Sequence, residues 1–193
     1  MTDVGEIVRL QVQTAELKVG PLGRRRYEPA PIRVAESLYL DEGGVEGRDA
    51  RGMILSDVHH HDHPAGKNPR YRHGVSLLFT SQYSVMRGRF GEHVIDGVAG
   101  ENILVDTERM IMPEDIEGGI IIEAGDGERQ LSLVKPVEPC VEFTRYCLRR
   151  APEEHADPEL NEAILFLRGR RGYYMAYDGP PVTLRAGDRV RLG

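Results

Sequence analysis

Short apolar stretches, broken by glycine and proline, recur along the chain with the two-residue period of strands. Glu6-Ile7-Val8-Arg9-Leu10-Gln11-Val12 puts branched residues on alternating positions and predicts a first strand. Residues 16–29, rich in Gly, Pro and Arg, predict an insertion or hairpin. Ile32-Arg33-Val34 starts another strand, which leads into Asp41-Glu42-Gly43-Gly44-Val45-Glu46-Gly47. Glycines there suit tight turns or a close backbone approach to a ligand. Val75-Ser76-Leu77-Leu78-Phe79 predicts a short apolar strand, and Thr80 or Ser81 can cap a helix running towards Gly91.

Gly119-Ile120-Ile121-Ile122-Glu123 and Gln130-Leu131-Ser132-Leu133-Val134 flank Gly125-Asp126-Gly127, a hairpin signal. The clearest helix follows Asp157, a good N-cap, with Pro158 at its first position. Leu160, Ile164 and Leu167 then share one face until Gly169. Tyr173 to Tyr177 reads as a strand, and Val182-Thr183-Leu184 with Arg185 to Val190 predicts a strand, a glycine turn and a strand. Many short strands with two clear helices predict a mostly-β barrel or sandwich with helical decorations. With no Pro/Gly/Ser linker in sight, residues 1–193 read as one domain.

Composition narrows the setting. A hydrophobic fraction of 40% can fill a core without disulfide staples in a chain of 193 residues. The two cysteines, Cys140 and Cys147, are spaced too widely for a CxxC motif and suit a reducing cytoplasm. No apolar run reaches the roughly 20 residues needed to cross a bilayer, and the first residues lack the pattern of a secretory leader. A cytoplasmic protein without membrane contact is the expectation. The net charge of -6 argues against nonspecific nucleic-acid binding. Positive charge is nonetheless clustered at Arg24-Arg25-Arg26, at Lys67, Arg70 and Arg72, and at Arg87 with Arg89. Each cluster is either solvated surface or, where two converge, part of an anion pocket.

Candidate chemistry centres on Cys140. In Val137-Glu138-Pro139-Cys140 the proline pins the backbone before the thiol and directs it out of a β edge. Such a cysteine can be inert packing, a nucleophile, a sulfur carrier or a soft-metal ligand. Cys147 reads mainly as a structural thiol. His59, His61 and His63 alternate, so a strand would put all three on one face to hold zinc, iron or nickel; in a loop they would be wet. Asp57 and Asp62 can orient such imidazoles.

Four ordered segments resemble the MOSC family, the module related to the C-terminal part of molybdenum cofactor sulfurases. Asp41-Glu42-Gly43-Gly44-Val45-Glu46-Gly47-Arg48-Asp49 is similar to its glycine-valine-x-glycine-aspartate loop, with one extra residue before the aspartate. Lys67-Asn68-Pro69-Arg70 resembles its basic proline-arginine region, and Gly97-Val98-Ala99-Gly100-Glu101-Asn102-Ile103 its glycine-glutamate-asparagine motif. Cys140 takes the place of the family cysteine, and Leu184 to Val190 resembles the last hairpin. Where the family places a histidine after the loop aspartate, this chain has Ala50 and Arg51, and Asp57 to His63 is either its substitute or a local insertion.

The resemblance implies a MOSC-type β-barrel with a few short peripheral helices. It further implies a protein that binds the molybdenum–pterin cofactor or carries sulfur as a cysteine persulfide; molybdenum-ion and pyridoxal phosphate binding belong to the same expectation. Cys140 would be the catalytic thiol or a metal ligand. Arg70, Arg48 and Lys67 would hold the cofactor phosphate, while Gly100, Glu101 and Asn102 would orient the rest. A sulfur donor or redox partner protein would supply the other half of the reaction. Two rival readings remain beside it: a zinc- or iron-dependent enzyme using His59, His61 and His63, and a non-catalytic binding domain for an anionic ligand.

Overall fold

The computed structural model describes residues 2–66, 74–125 and 127–193. The chain begins with β1 (Asp3–Gln13), the short pair β2 (Lys18–Val19) and β3 (Arg26–Tyr27), β4 (Ile32–Ala35), β5 (Ser37–Asp41), β6 (Gly44–Arg48) and β7 (Ile54–Ser56). Next come β8 (Val75–Phe79), α1 (Thr80–Phe90), β9 (Ile103–Asp106), a single 3-10 turn, β10 (Ile120–Ala124) and β11 (Gly127–Pro136). Then follow α2 (Val141–Leu148), α3 (Pro158–Leu167), β12 (Tyr173–Ala176), β13 (Val182–Arg185) and β14 (Arg189–Leu192).

The order β14-β10-β11-β12-β8-β9-β1 closes on itself through antiparallel pairing of β1 with β14, and β4 extends the sheet beyond β1. Closure satisfies backbone groups that an open sheet would leave at its edges. The second sheet, β13-β5-β6-β7, shares the barrel's core: Leu38, Leu40, Val45 and Leu184 are buried in one cluster with Ile7, Leu10, Ile103 and Val190. The fold is thus a mostly-β barrel with a few short peripheral helices, as the sequence leads one to expect.

Local deviations follow from the pattern itself. β1 carries an irregularity between Ile7 and Arg9 against β9, so Ile7 and Leu10 both face inward while Val8 is 43% exposed. In β8 and β9 the two strand faces enter different clusters. Val75, Leu77, Phe79, Ile103 and Val105 fill the barrel, whereas Leu78 and Leu104 pack outward against Tyr83, Met86, Phe143 and Leu167. That outer layer is why β8 is buried on both sides, and why it pairs in parallel with β9 across the α1 connection.

Both expected helices form. Asp157 caps α3 by accepting from the Leu160 N–H at 2.8 Å, with Pro158 in the first turn. α1 is capped differently from expectation: Phe79 is its N-cap residue, and the Gln82 side chain reaches back to the Phe79 N–H. The Thr80 hydroxyl is used elsewhere, donating to Asp106. α2 was not foreseen, and it decides where Cys140 points.

Candidate functional site

Cys140 is the N-cap residue of α2, in extended backbone (φ -112°, ψ 153°), and not the tip of a β edge. Its carbonyl accepts from the Thr144 N–H at 3.0 Å and the Thr144 hydroxyl at 2.9 Å, which ties the helix start down from the backbone side. No side chain caps the helix there, so the thiol stays available and partly exposed. It borders a cavity of about 400 Å³ walled by the β2–β3 hairpin, the Gly97–Asn102 turn and the segment leaving β11.

Arg171 is a cationic partner of the thiol. Its Nη1 lies 3.5 Å from Cys140 Sγ and 3.1 Å from the Glu138 carbonyl, and the guanidinium covers the Phe143 ring at 4.6 Å. Burial alone would lower the Arg171 pKa; the fields of Cys140, Tyr27 and Tyr174 outweigh it and raise the value, keeping the group cationic. The positive end of α2 points the same way. Cys140 therefore has a guanidinium beside it, and the Glu142 carboxylate is also within hydrogen-bonding reach of the thiol.

Gly100, Glu101 and Asn102 do three different jobs. Gly100 has φ +86°, and a Cβ there would lie 2.7 Å from Leu17 Cδ1 and 2.9 Å from Gln13 Nε2, so only glycine fits. Glu101 is 4% exposed yet borders the cavity. Its Oε2 accepts from the Tyr83 hydroxyl at 2.8 Å, which itself accepts from the Ala99 N–H at 2.9 Å, while Oε1 has no partner. Burial pushes the Glu101 carboxyl up to about 7, against the lowering pull of its hydrogen bonds and Arg9. Asn102 spends its side chain inside the fold: Oδ1 accepts from the Ser76 N–H and hydroxyl, and Nδ2 donates to the Gln11 carbonyl and to Asp57 Oδ2 at 2.8 Å.

Asp57 carries that network to the cavity. Fully buried, it accepts from the Gln13 N–H at 2.8 Å and from the His59 N–H at 2.8 Å, and holds the His59 Nδ1 at 2.9 Å. Burial would raise its pKa, but these donors and the His59 charge bring it below the ordinary value, so it stays ionised. The carboxylate fixes the Nδ1–H tautomer of His59, a cavity-lining residue.

The alternating histidines do not act together. The segment is a series of turns and not a strand, and among the described residues the group close enough to share a metal is His60, His61 and Asp62, whose ligand atoms lie within 4.8 Å of one another. The structure therefore brings Cys140, Gly100, Glu101 and His59 to one cavity, with Asn102 behind it. Arg48 does not join them; it is exposed at the end of β6 in the second sheet. Lys67 and Arg70 lie outside the described residues. Lys18, Arg25, Lys135 and Arg171 line the cavity in their place; of these only Arg25 belongs to a basic cluster marked in the sequence. The one clue to Arg171 is three-dimensional: the Val137 N–H donates to the Gly172 carbonyl, bringing the segment after β11 beside the residues before β12.

Comparison with known proteins bears on the fold and the family. The MOSC domain family model matches residues 57–191. The chain belongs to the MOSC domain family. This is a group linked to molybdenum-cofactor sulfuration. Asp57 to His63, Gly97 to Ile103, Cys140 and Leu184 to Val190 all fall inside the match, whereas the glycine loop at 41–49 precedes it. Among solved structures, YUAD protein from Bacillus subtilis has a TM-score of 0.57 at 15% identity, covering 97% of this chain and 94% of that one. YiiM from Geobacillus stearothermophilus gives 0.54 at 15%, covering 97% and 74% of the two chains. YiiM from Escherichia coli gives 0.50 at 17%, covering 83% and 64%. At such identities the likeness is one of fold. A search of curated proteins finds no match. Among the described residues, no helix is long and apolar enough to cross a membrane.

Proposed function

We propose that this MOSC protein handles sulfur in the service of the molybdenum cofactor, with Cys140 as the carrying thiol. The observation that supports it is the placement of Cys140 Sγ 3.5 Å from the Arg171 guanidinium at the edge of an open cavity. In the step proposed, the Cys140 thiolate attacks the outer sulfur of a donor persulfide, R–S–SH. A new S–S bond forms on Cys140, the donor's own S–S bond breaks, and R–S⁻ leaves with the electron pair. Arg171 stabilises negative charge on the incoming and outgoing sulfur. His59, held by Asp57, lines the same cavity. A persulfide-bearing donor protein is the partner this scheme requires.

The lining also fits the cofactor the family implies. Lys18, Arg25, Lys135 and Arg171 offer cations to its anionic groups, the unpartnered Glu101 Oε1 offers a hydrogen-bonding atom to a pterin ring, and Cys140 is a soft donor. When bound, molybdenum would supply two-electron redox chemistry. The test uses polysulfide as sulfur donor, followed by mass spectrometry of the whole chain and its peptides. An adduct of one sulfur atom on Cys140, absent in Cys140→Ser, is expected; an adduct confined to Cys147 overturns the reading. Equal molybdenum retention by Cys140→Ser after loading with cofactor would remove the ligand role. A second reading, a zinc or iron enzyme, rests on the His60, His61 and Asp62 group. Metal content unchanged in the His60→Ala/His61→Ala variant would end it.

A further inference from the structure

A second concavity of about 360 Å³ adjoins the first and is built from opposite charge logic to the rest of the chain. One wall is the β2–β3 hairpin, with Arg25, Arg26 and Tyr27. The other is a face of α2 and its C-cap: Glu142 lies three and four residues before Arg145 and Tyr146, so the helix presents them together, and Arg149 follows at the helix end. His93 and Arg150 complete it. Five arginines and one carboxylate line this groove in a protein of net charge -6.

Not all of that charge is available. Arg150 is engaged by Asp157 and Glu159, and Arg26 faces Glu28 at 3.8 Å. The one carboxylate, Glu142, pairs with Lys18 at 3.5 Å. Arg149 is different. Its Nε donates to His93 Nδ1 at 3.1 Å, and the His93 Nε2 donates to the Cys147 carbonyl at 3.0 Å, so this contact brings the guanidinium an imidazole and not a carboxylate. Arg145 spends its Nη2 on the Glu154 carbonyl, an uncharged acceptor. Arg149 is also the one non-glycine residue of the described chain in the left-handed region, at φ 55°. Such a backbone is strained for a residue with a Cβ and would be relieved by glycine, yet an arginine stands there.

We propose that this groove binds a phosphate-bearing small molecule of nucleotide size, with its phosphate on Arg25, Arg145 and Arg149 and a planar ring against Tyr146. Guanidinium forks match phosphate oxygens in pairs, and an aromatic face accepts any planar ring. A small ligand fits better than an acidic peptide because the site is concave and of small-molecule size. Arg25 and Tyr27 line both this groove and the cavity at Cys140, so a ligand held here can reach towards the thiol.

The test is titration calorimetry on the whole chain with adenosine diphosphate, guanosine diphosphate and inorganic pyrophosphate. Saturable binding is expected, tighter for the nucleotides than for pyrophosphate and weakened by salt. Arg149→Gly keeps the backbone comfortable, so its melting temperature should hold or rise while affinity falls roughly tenfold. Tyr146→Leu should erase the nucleotide preference and leave pyrophosphate binding. Cys140→Ser should bind as the parent does, so failure of the sulfur reading and failure of this one are told apart. Absence of saturable binding, affinity unchanged in Arg149→Gly, or tight binding of a poly-glutamate peptide with none of the nucleotides would each overturn the proposal.

Discussion

The two thiols at either end of α2 have the same chemistry and opposite circumstances. Cys147 is 1% exposed, packed with Tyr83, Met86 and Phe143, and burial pushes its pKa up to about 12. Cys140 stands at the helix start beside Arg171 and opens on a cavity. One helix thus seals one sulfur away by burial and leaves the other open to a cavity beside a guanidinium. Reactivity here belongs to the address and not to the residue type.

The sharpest way to break that contrast is to remove the outer thiol. Cys140→Ser should abolish the fast phase of iodoacetamide labelling and all persulfide formation, read by mass spectrometry. Fast labelling that persists in this variant would show Cys147 to be the reactive group.

Glu101 tests whether deep burial alone silences a group. It is nearly as buried as Cys147 yet borders the cavity. The folded chain holds its proton up to about pH 7, whereas an ordinary glutamate releases it near 4.5. The stability it contributes is complete below about pH 4.5 and is lost as pH rises through about 7, amounting to at most about 3 kcal/mol. Glu101→Gln should remove this slope, measured as the difference in urea unfolding between variant and parent from pH 4 to 8. Parallel curves would refute it. Asp57 acts in the opposite sense, losing its contribution only in acid, and so does not blur the comparison.

Arg171→Ala should slow labelling of Cys140 roughly tenfold, the worth of one close charge in a partly wet site. Arg171→Lys should recover part of the rate, because charge returns without the planar stacking on Phe143. An unchanged rate in both would leave Arg171 a packing residue. The smallest effect is expected from Cys147→Ala, a loss of about 1 kcal/mol for a small buried side chain, with the labelling rate of Cys140 unaltered.

Local signals carried most of the barrel. The glycine turn between β10 and β11, the capped α3 and the alternating strands were readable because each is settled by near neighbours. α2 escaped because Val141, Phe143, Thr144, Tyr146 and Cys147 are weak helix formers; the helix is held by burying Phe143 and Cys147 against the outer cluster. The site was readable in part. Cys140, Gly100 and Glu101 reach the cavity, whereas Asn102 turned out to stitch β1, β8 and Asp57 together. Alternation misled for the histidines, since turns replace the strand that the spacing assumes. Arg171 is invisible to any pattern, because chain crossing alone brings it to the thiol.

The join between β1 and β14 has a consequence for how the molecule assembles and fails. Asp3 pairs with Arg191 and Glu6 with Arg189, so this ladder unites the first and last strands described. That contact closes a long loop and carries a large closure entropy, which slows it in refolding. Until it zips, β1 and β14 each offer a bare row of amides and carbonyls to any neighbouring molecule. Trimming β14 would therefore favour sticking between copies well before it unravelled the remaining strands.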